Sequence, residues 1–205
     1  NRGKGARGLG RCDRGQAGMR AQFSMDRLRA VMTLPRRVQV VFAVLGLIAI
    51  TTAPNVEKLG DRYQVALPLL ALGCEVVNGS GVEYLGRYVV MFVGLHGTKQ
   101  ALGDAQINQR PNGGLQGFPS GHTATATFGA ASLVQSCVTG APVAQVAVAL
   151  AAAYTGGSRI ETHWHTLFQV MAGAVWGIFC SMAFRRDTGA RRWMAGCFAR
   201  LFLRR

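Results

Sequence analysis

Six apolar stretches of similar length divide most of the chain, and they constrain its fold more than any other feature. They lie at residues 38–53, 62–77, 82–97, 121–138, 142–157 and 165–184. Each is at or slightly below the length of about 17 to 25 residues that a helix needs to cross the hydrocarbon core of a bilayer. Lys, Asp and Glu are nearly absent from these stretches, and charged side chains inside a bilayer are rare and costly. The pattern predicts an all-α bundle of six transmembrane helices.

Two alternatives fit part of this pattern. A soluble helical bundle would also suit Ala- and Gly-rich segments such as 141–157, although small residues at close helix contacts are equally expected in bilayers. The first stretch, which follows basic residues, resembles a cleavable signal peptide. Five more apolar stretches come after it, which favours a retained signal anchor.

The formal charge of +14 belongs to the two ends of the chain. Residues 1–37 hold ten Lys or Arg against two acids and residues 185–205 hold seven against one, whereas residues 38–184 hold six of each. Basic ends around a balanced core indicate contact with an anionic membrane surface at both termini. Arg-rich tails also suit nucleic acid, but the apolar core makes that partner secondary, and we expect no nucleic acid.

These observations predict a domain organisation and an orientation. We expect a disordered basic segment over 1–30, part of which lies upstream of the true start if translation begins at Met25, a membrane-embedded domain over 31–187, and a basic cytoplasmic tail over 188–205. The positive-inside rule places both tails in the cytoplasm, which an even number of spans permits. The loops at 98–120 and 158–164 then emerge together on the non-cytoplasmic side.

Those two loops carry three of the six Lys and Arg residues of the core: Lys99, Arg110 and Arg159. Convergent cations indicate a polyanionic ligand, because the planar fork of Arg matches phosphate oxygens and Lys adds a mobile point charge. Taken singly, each would more simply be a solvated charge. Their position in two loops on one face favours a phosphate site.

The segment Pro119-Ser120-Gly121-His122 precedes the fourth apolar stretch. Ser is a preferred N-cap, Gly allows close backbone approach, and the amides of a first helical turn bind anions. All four histidines, His96, His122, His163 and His165, lie at or beside the same loops. Phosphate-ester hydrolysis needs a nucleophile and an acid for the departing oxygen, and imidazole can serve as either near neutral pH.

The order of these motifs on a six-helix chain resembles the type 2 phosphatidic acid phosphatase superfamily. The motifs are Lys99, Arg110-Pro111, Pro119-Ser120-Gly121-His122, and Ser158-Arg159 followed by His165. That family also includes vanadium haloperoxidases. The resemblance implies that His165 attacks phosphorus and forms a phosphohistidine, and that His122 protonates the leaving oxygen. It implies that the phosphoryl oxygens are held by Lys99, Arg110, Ser120, Gly121 and Arg159.

The chain departs from the family pattern twice. Ten residues, instead of the usual six, separate Lys99 from Arg110, and if this stretch is helical both still share a face. Gln169 stands where the family ordinarily has an Asp four residues after the nucleophile. A Gln carbonyl can fix the tautomer of His165 but supplies no negative charge. Glu161, four residues before His165, is expected to supply the missing carboxylate if that segment is helical.

The sequence indicates neither a metal nor a cofactor. Only Asp104 and Glu161 offer carboxylates in the two loops, and the five cysteines show no metal-ligand spacing and no CxxC pair, so we also expect no disulfide framework.

The leading interpretation is an integral-membrane phosphatase acting on a lipid or polyprenyl phosphate, with the bilayer as its other partner, in the bacterial inner membrane with the site facing the periplasm. A non-catalytic relative that binds phosphorylated lipid is the alternative, and a vanadate-dependent haloperoxidase is a weaker one because such enzymes are typically larger and soluble. The sequence leaves open the lipid, a preference for mono- or diphosphate, and the oligomeric state.

Overall fold

The computed structural model describes residues 33–183 and residue 185, and this part contains six α-helices and one 3-10 turn but no β-strand. The helices are α1 (Leu34–Thr52), α2 (Val56–Asn78), α3 (Gly81–Leu102), α4 (Gly121–Ser136), α5 (Pro142–Glu161) and α6 (Leu167–Ala183). Each coincides with one of the six apolar stretches, so the all-α prediction is confirmed. The predicted basic segments at 1–30 and 188–205 lie outside the described residues.

Local sequence signals explain where several helices begin and end. The side chain of Asn55 caps α2 by accepting a hydrogen bond from the backbone N–H of Lys58 at 2.9 Å. Gly79 ends the same helix with φ 84°, a left-handed conformation that glycine adopts without a Cβ penalty. Pro142 begins α5, where its missing N–H would have no partner within the helix.

Helix α4 lies at the centre of the bundle and packs against α2, α5 and α6. Glycine allows these close contacts. A Cβ on Gly129 of α4 would lie 2.4 Å from the backbone nitrogen of Pro68 in α2, and a Cβ on Gly173 of α6 would lie 2.4 Å from the carbonyl oxygen of Ser120. Small residues thus bring α6 against the start of α4, where the candidate phosphate-binding segment lies.

The other end of the bundle contains a buried polar cluster. Arg87 of α3 forms an ion pair with Glu75 of α2 at 3.3 Å, and both side chains are buried. Cys74 and Cys137 are paired there as a disulfide, with Cα atoms 5.6 Å apart. The expectation of no disulfide was therefore wrong, because the packing of α2 against α4 brings together two cysteines that are 63 residues apart in sequence.

Large apolar side chains cover the outer surface of every helix except the central α4. Ile50, Val82, Leu150 and Val175 are among the exposed examples, and faces of this extent are unusual on a soluble monomer. Within the described residues, α1 alone has both the length and the apolar composition expected of a membrane span, and α6 is apolar but shorter. The six predicted helices are therefore present, whereas six spans stay a prediction.

Candidate active site

A cavity of about 450 Å³ opens at the end of the bundle that carries the 98–120 and 162–166 loops. The predicted residues that line it are Lys99, Gly121, His122, Arg110, Arg159 and His165. They come from α3, the 98–120 loop, the start of α4, the end of α5 and the loop before α6. The structure thus brings together three cations and two histidines that are spread over 67 positions of the sequence.

Lys99 and Arg110 reach the cavity by a route that the sequence did not predict. Helix α3 ends at Leu102, so the interval between the two cations is not continuously helical. Buried Asn108 shapes the intervening loop, because its amide nitrogen donates to the carbonyls of Lys99 at 2.9 Å and Gly103 at 2.7 Å. The expected shared helical face is therefore wrong, and the folded loop places both cations at the cavity instead.

The carbonyl of Gln116 accepts hydrogen bonds from both Lys99 and Arg110. Gln116 has φ 62°, a left-handed conformation that is uncommon for a residue other than glycine. The Arg110 guanidinium also stacks over the ring of Trp164, with its carbon 5.4 Å from the ring centroid. These contacts hold two positive charges at one wall of the cavity.

Arg159 occupies the last turn of α5 and is 3% exposed. Its Nη2 donates to the backbone carbonyl of Glu57 at 3.0 Å and lies 3.0 Å from Oδ1 of Asp61. Its Nε donates to the hydroxyl of Ser158 at 3.3 Å. The third cation is thus fixed in orientation by contacts with α2.

Ser120 and Gly121 lie where α4 begins, as the sequence predicts. The Ser120 hydroxyl pairs with the hydroxyl of Thr123 at 3.0 Å and makes no side-chain cap on a backbone N–H. The backbone N–H of Ser120 donates to the carbonyl of Gln169 at 2.9 Å, which ties the start of α4 to α6. Gly121 lines the cavity, whereas Ser120 is fully buried and does not, so the structure brings the positive end of the α4 dipole to the cavity but not the Ser120 hydroxyl.

His165 lines the cavity but is otherwise buried, and its Nδ1 is 3.2 Å from Oε1 of Gln169. Burial lowers the pKa of His165 from 6.5 to about 4, and the charges of Lys99 and Arg110 act in the same direction, while the hydrogen bond to Gln169 opposes them. The imidazole is therefore neutral at pH 7. Because Nδ1 is engaged by Gln169, Nε2 is the nitrogen with a lone pair for a ligand in the cavity.

A family model described as the PAP2 superfamily matches residues 39–193, which include most of α1, all of α2 to α6 and every predicted site residue. The chain belongs to the PAP2 superfamily. This membership confirms the resemblance to type 2 phosphatidic acid phosphatases and supports a phosphatase-type function. Comparison with curated proteins and with solved structures gave no match.

Gln169 is more deeply involved in this PAP2 site than the sequence suggested. Its Oε1 accepts from the backbone N–H of Thr166 at 3.2 Å as well as facing His165. Its Nε2 donates to the carbonyls of Ile107 at 3.0 Å and Gln109 at 2.7 Å. A carboxylate could make the first pair of contacts but not the second, because it has no N–H to donate.

Glu161 is not brought to the site. It is the last residue of α5, its side chain is exposed, and it does not line the cavity. The expectation that it serves as the partner of His165 does not agree with the structure, in which the Nδ1 contact is made by Gln169. His163 is also exposed, with φ 56°.

Two carboxylates of the cavity were missed by the sequence reasoning. Glu57 and Asp61 extend from the first two turns of α2, and Asp61 contacts both His122 and Arg159. A signal was available: Glu57, Asp61 and Gln64 follow the i, i+4, i+7 spacing of one helical face, and all three line the cavity. Glu57 and Asp61 lie outside the family motifs, so the motifs alone do not predict that these two residues belong to the site.

Proposed function

We propose that this PAP2 protein is an integral-membrane phosphatase that hydrolyses a lipid or polyprenyl phosphate through a phosphohistidine intermediate. The observation that carries the proposal is the position of His165, a neutral imidazole at a cavity lined by Lys99, Arg110 and Arg159. A phosphate held by three cations would present its phosphorus to a nucleophile that is already deprotonated at neutral pH.

In the first step, the Nε2 lone pair of His165 forms a bond to phosphorus, and the bond from phosphorus to the alcohol oxygen breaks. The departing oxygen takes the bonding electrons and receives a proton from His122. In the second step, His122 accepts a proton from water, the resulting hydroxide oxygen bonds to phosphorus, and the phosphorus–nitrogen bond breaks. The electrons return to His165, and inorganic phosphate leaves.

Charge that develops on the phosphoryl oxygens would be stabilised by groups that are already oriented. Arg159 is held by α2, and Lys99 and Arg110 are held by the carbonyl of Gln116. The amides of the first turn of α4, beginning at Gly121, add fixed dipoles. Preorganised donors of this kind are usually the largest single contribution to such catalysis.

A lipid substrate is supported by a second cavity that adjoins the first. A groove of about 240 Å³ runs between α2 and α3 and is lined mainly by apolar side chains such as Leu69, Leu72 and Leu85. Gln64 and Thr125 line both the groove and the phosphate cavity. An acyl or prenyl chain in the groove would therefore extend from a phosphate in the cavity, and a soluble phosphate ester would leave it empty.

The exposed apolar faces of the outer helices support a bilayer location, and the basic ends of the chain support cytoplasmic termini. We accordingly place the cavity on the periplasmic side of a bacterial inner membrane.

The function is tested by the release of inorganic phosphate from lipid phosphates by the purified full chain in detergent. A panel of phosphatidic acid, phosphatidylglycerol phosphate, undecaprenyl diphosphate and lipid A covers the main chemical classes. We expect turnover of at least one lipid and its abolition by His165→Asn. His163→Asn is the matched control, because His163 is exposed and Asn tolerates its left-handed backbone. Absence of turnover on the whole panel would favour the non-catalytic alternative.

A further inference from the structure

The carboxylate of Asp61 lies between two functional groups of the cavity. Its Oδ1 is 3.3 Å from Nε2 of His122 and 3.0 Å from Nη2 of Arg159. The Asp61 side chain is 46% exposed, so it faces the open cavity, whereas the Arg159 side chain is 3% exposed. Asp61 is thus the carboxylate that contacts a histidine of this site, since the partner of His165 is the neutral amide of Gln169.

The surroundings of His122 explain why such a carboxylate matters. Lys99, Arg110 and Arg159 line the same cavity as His122 and disfavour a positive charge on its imidazole, whereas the adjacent carboxylate of Asp61 favours one. A histidine that protonates a leaving oxygen must carry a proton that it can lose, which is the imidazolium form. The other charged or titratable residues that line the cavity are Glu57, Asp61, His96, Lys99, Arg110, Arg159 and His165.

Resting on the proposed function, we propose that Asp61 is a positioning residue that holds His122 as the proton donor to the departing alcohol and holds Arg159 against the phosphoryl group. The carboxylate engages Nε2 of His122, which leaves Nδ1–H to donate its proton to the alcohol oxygen as the bond from phosphorus to oxygen breaks. His122 is then neutral and accepts a proton from the water that attacks the phosphohistidine. Asp61 itself gains and loses no proton in either step.

The two histidines would thereby have partners of different charge. A neutral amide and burial keep His165 unprotonated for attack, and a carboxylate supports the protonated form of His122. Separate environments for two titratable groups are a recurrent way to assign nucleophile and acid in one site.

Glu57 offers a matched control. Its carboxylate lies 3.9 Å from Nη1 of Arg159 and accepts from the indole N–H of Trp164 at 2.9 Å, but it makes no ion pair with His122. Glu57→Gln therefore removes a negative charge from the same wall of the cavity and from the same cation. It leaves the carboxylate on His122 in place.

The test compares two phosphate monoesters on the full chain in detergent: n-octyl phosphate, whose alkoxide needs a proton to leave, and 4-nitrophenyl phosphate, whose stabilised phenolate does not. For Asp61→Asn we expect kcat/KM, which reports the first step and not the later attack of water, to fall about 100-fold on n-octyl phosphate and less than about threefold on 4-nitrophenyl phosphate. For Glu57→Gln both should change by the same factor. The ratio of the two rates does not depend on how much of a variant is folded.

Equal losses on both substrates for Asp61→Asn would overturn the proposal, because they would indicate support of Arg159 or of the fold alone. Retention of full activity on both would overturn it as well. A selective loss for His122→Asn that matches the loss for Asp61→Asn, with no further loss in the double variant, would support a shared proton-donating unit. Failure of the proposed function itself would look different, as the unmodified chain would then hydrolyse neither ester.

Discussion

Replacing Gln169 by Glu has two effects that can be measured separately, because the two ends of this side chain have different tasks. The Oε1 end faces Nδ1 of His165 and the N–H of Thr166 at 3.2 Å each. The Nε2 end donates to the carbonyls of Ile107 and Gln109. Glutamate has nearly the same shape, so it preserves the first set of contacts and removes both donors of the second.

The cost of the second effect follows from the burial of the site, since Gln169 is 2% exposed. A buried carbonyl that loses its donor costs about 1 to 3 kcal/mol, so an ionised glutamate should destabilise the protein by about 2 to 6 kcal/mol. A protonated glutamate can still donate to one of the two carbonyls and would cost about half as much. The 98–120 loop, which carries Arg110, loses both of these side-chain bonds to α6 when the glutamate is ionised and one of them when it is protonated.

The first effect changes the pH dependence of activity. A carboxylate in direct contact with His165 favours the imidazolium and should raise its pKa by about 1 to 3 from the present value of about 4. Since the proposed attack by His165 requires a neutral imidazole, the acid limb of kcat/KM should move to higher pH by the same amount. The glutamate variant is therefore expected to lose activity below about pH 6, where the unmodified protein is still active.

The assays are a pH profile of kcat/KM on one substrate and thermal unfolding in the same detergent. Gln169→Met is the control, because it removes all four contacts without adding a charge and should destabilise the protein without moving the acid limb upward. A glutamate variant that is more stable than the unmodified protein, with an unchanged acid limb, would refute the reasoning for this position.

Three further predictions concern stability and activity elsewhere in the fold. Gly173→Ala should lower the free energy of unfolding by about 1 to 3 kcal/mol and reduce kcat, because its Cβ would collide with the backbone just before α4. Gly157→Ala is the control: it has open space around it and should stabilise α5 by about 0.5 to 1 kcal/mol in thermal unfolding. Gln169→Ala should lower kcat far more than Glu161→Gln, since Gln169 contacts His165 and Glu161 does not line the cavity; the opposite order in steady-state kinetics would restore the expectation from the sequence. His165 has a lower pKa in the folded protein than in the unfolded chain, so its contribution is complete above pH 6.5 and is lost as the pH falls toward 4. The unmodified protein should lose about 3 kcal/mol more than His165→Asn over that range in denaturant titrations.

The six helices could be predicted from the sequence because each of them has a local sequence signal. An apolar stretch of about 16 residues between polar turns favours a helix wherever it occurs, and all six helices follow that pattern. The convergence of Lys99, Arg110 and Arg159 was also predictable, because an even number of antiparallel helices places alternate loops at the same end of a bundle. The positions of His122 and His165 follow from the same topology.

Features that depend on tertiary contact were not predictable from spacing. Asp61 resembles a solvated carboxylate in the first turns of an apolar helix, and its contacts with His122 and Arg159 form only when α2 meets α4 and α5. Glu161 has favourable helical spacing to His165, but α5 ends at this residue, and the chain then turns so that its side chain faces outward. A contact predicted from helical spacing therefore does not form where the helix ends between the two residues.

Transfer of the phosphoryl group to His165 is tested most directly by rapid quenching at alkaline pH, where phosphohistidine survives. With 4-nitrophenyl phosphate as substrate, mass spectrometry of the quenched protein should find one phosphoryl group on His165. Its occupancy should rise in His122→Asn, which lacks the base for the second step. Phosphoryl transfer to another residue, or steady turnover with no phosphorylated protein in that variant, would contradict the account.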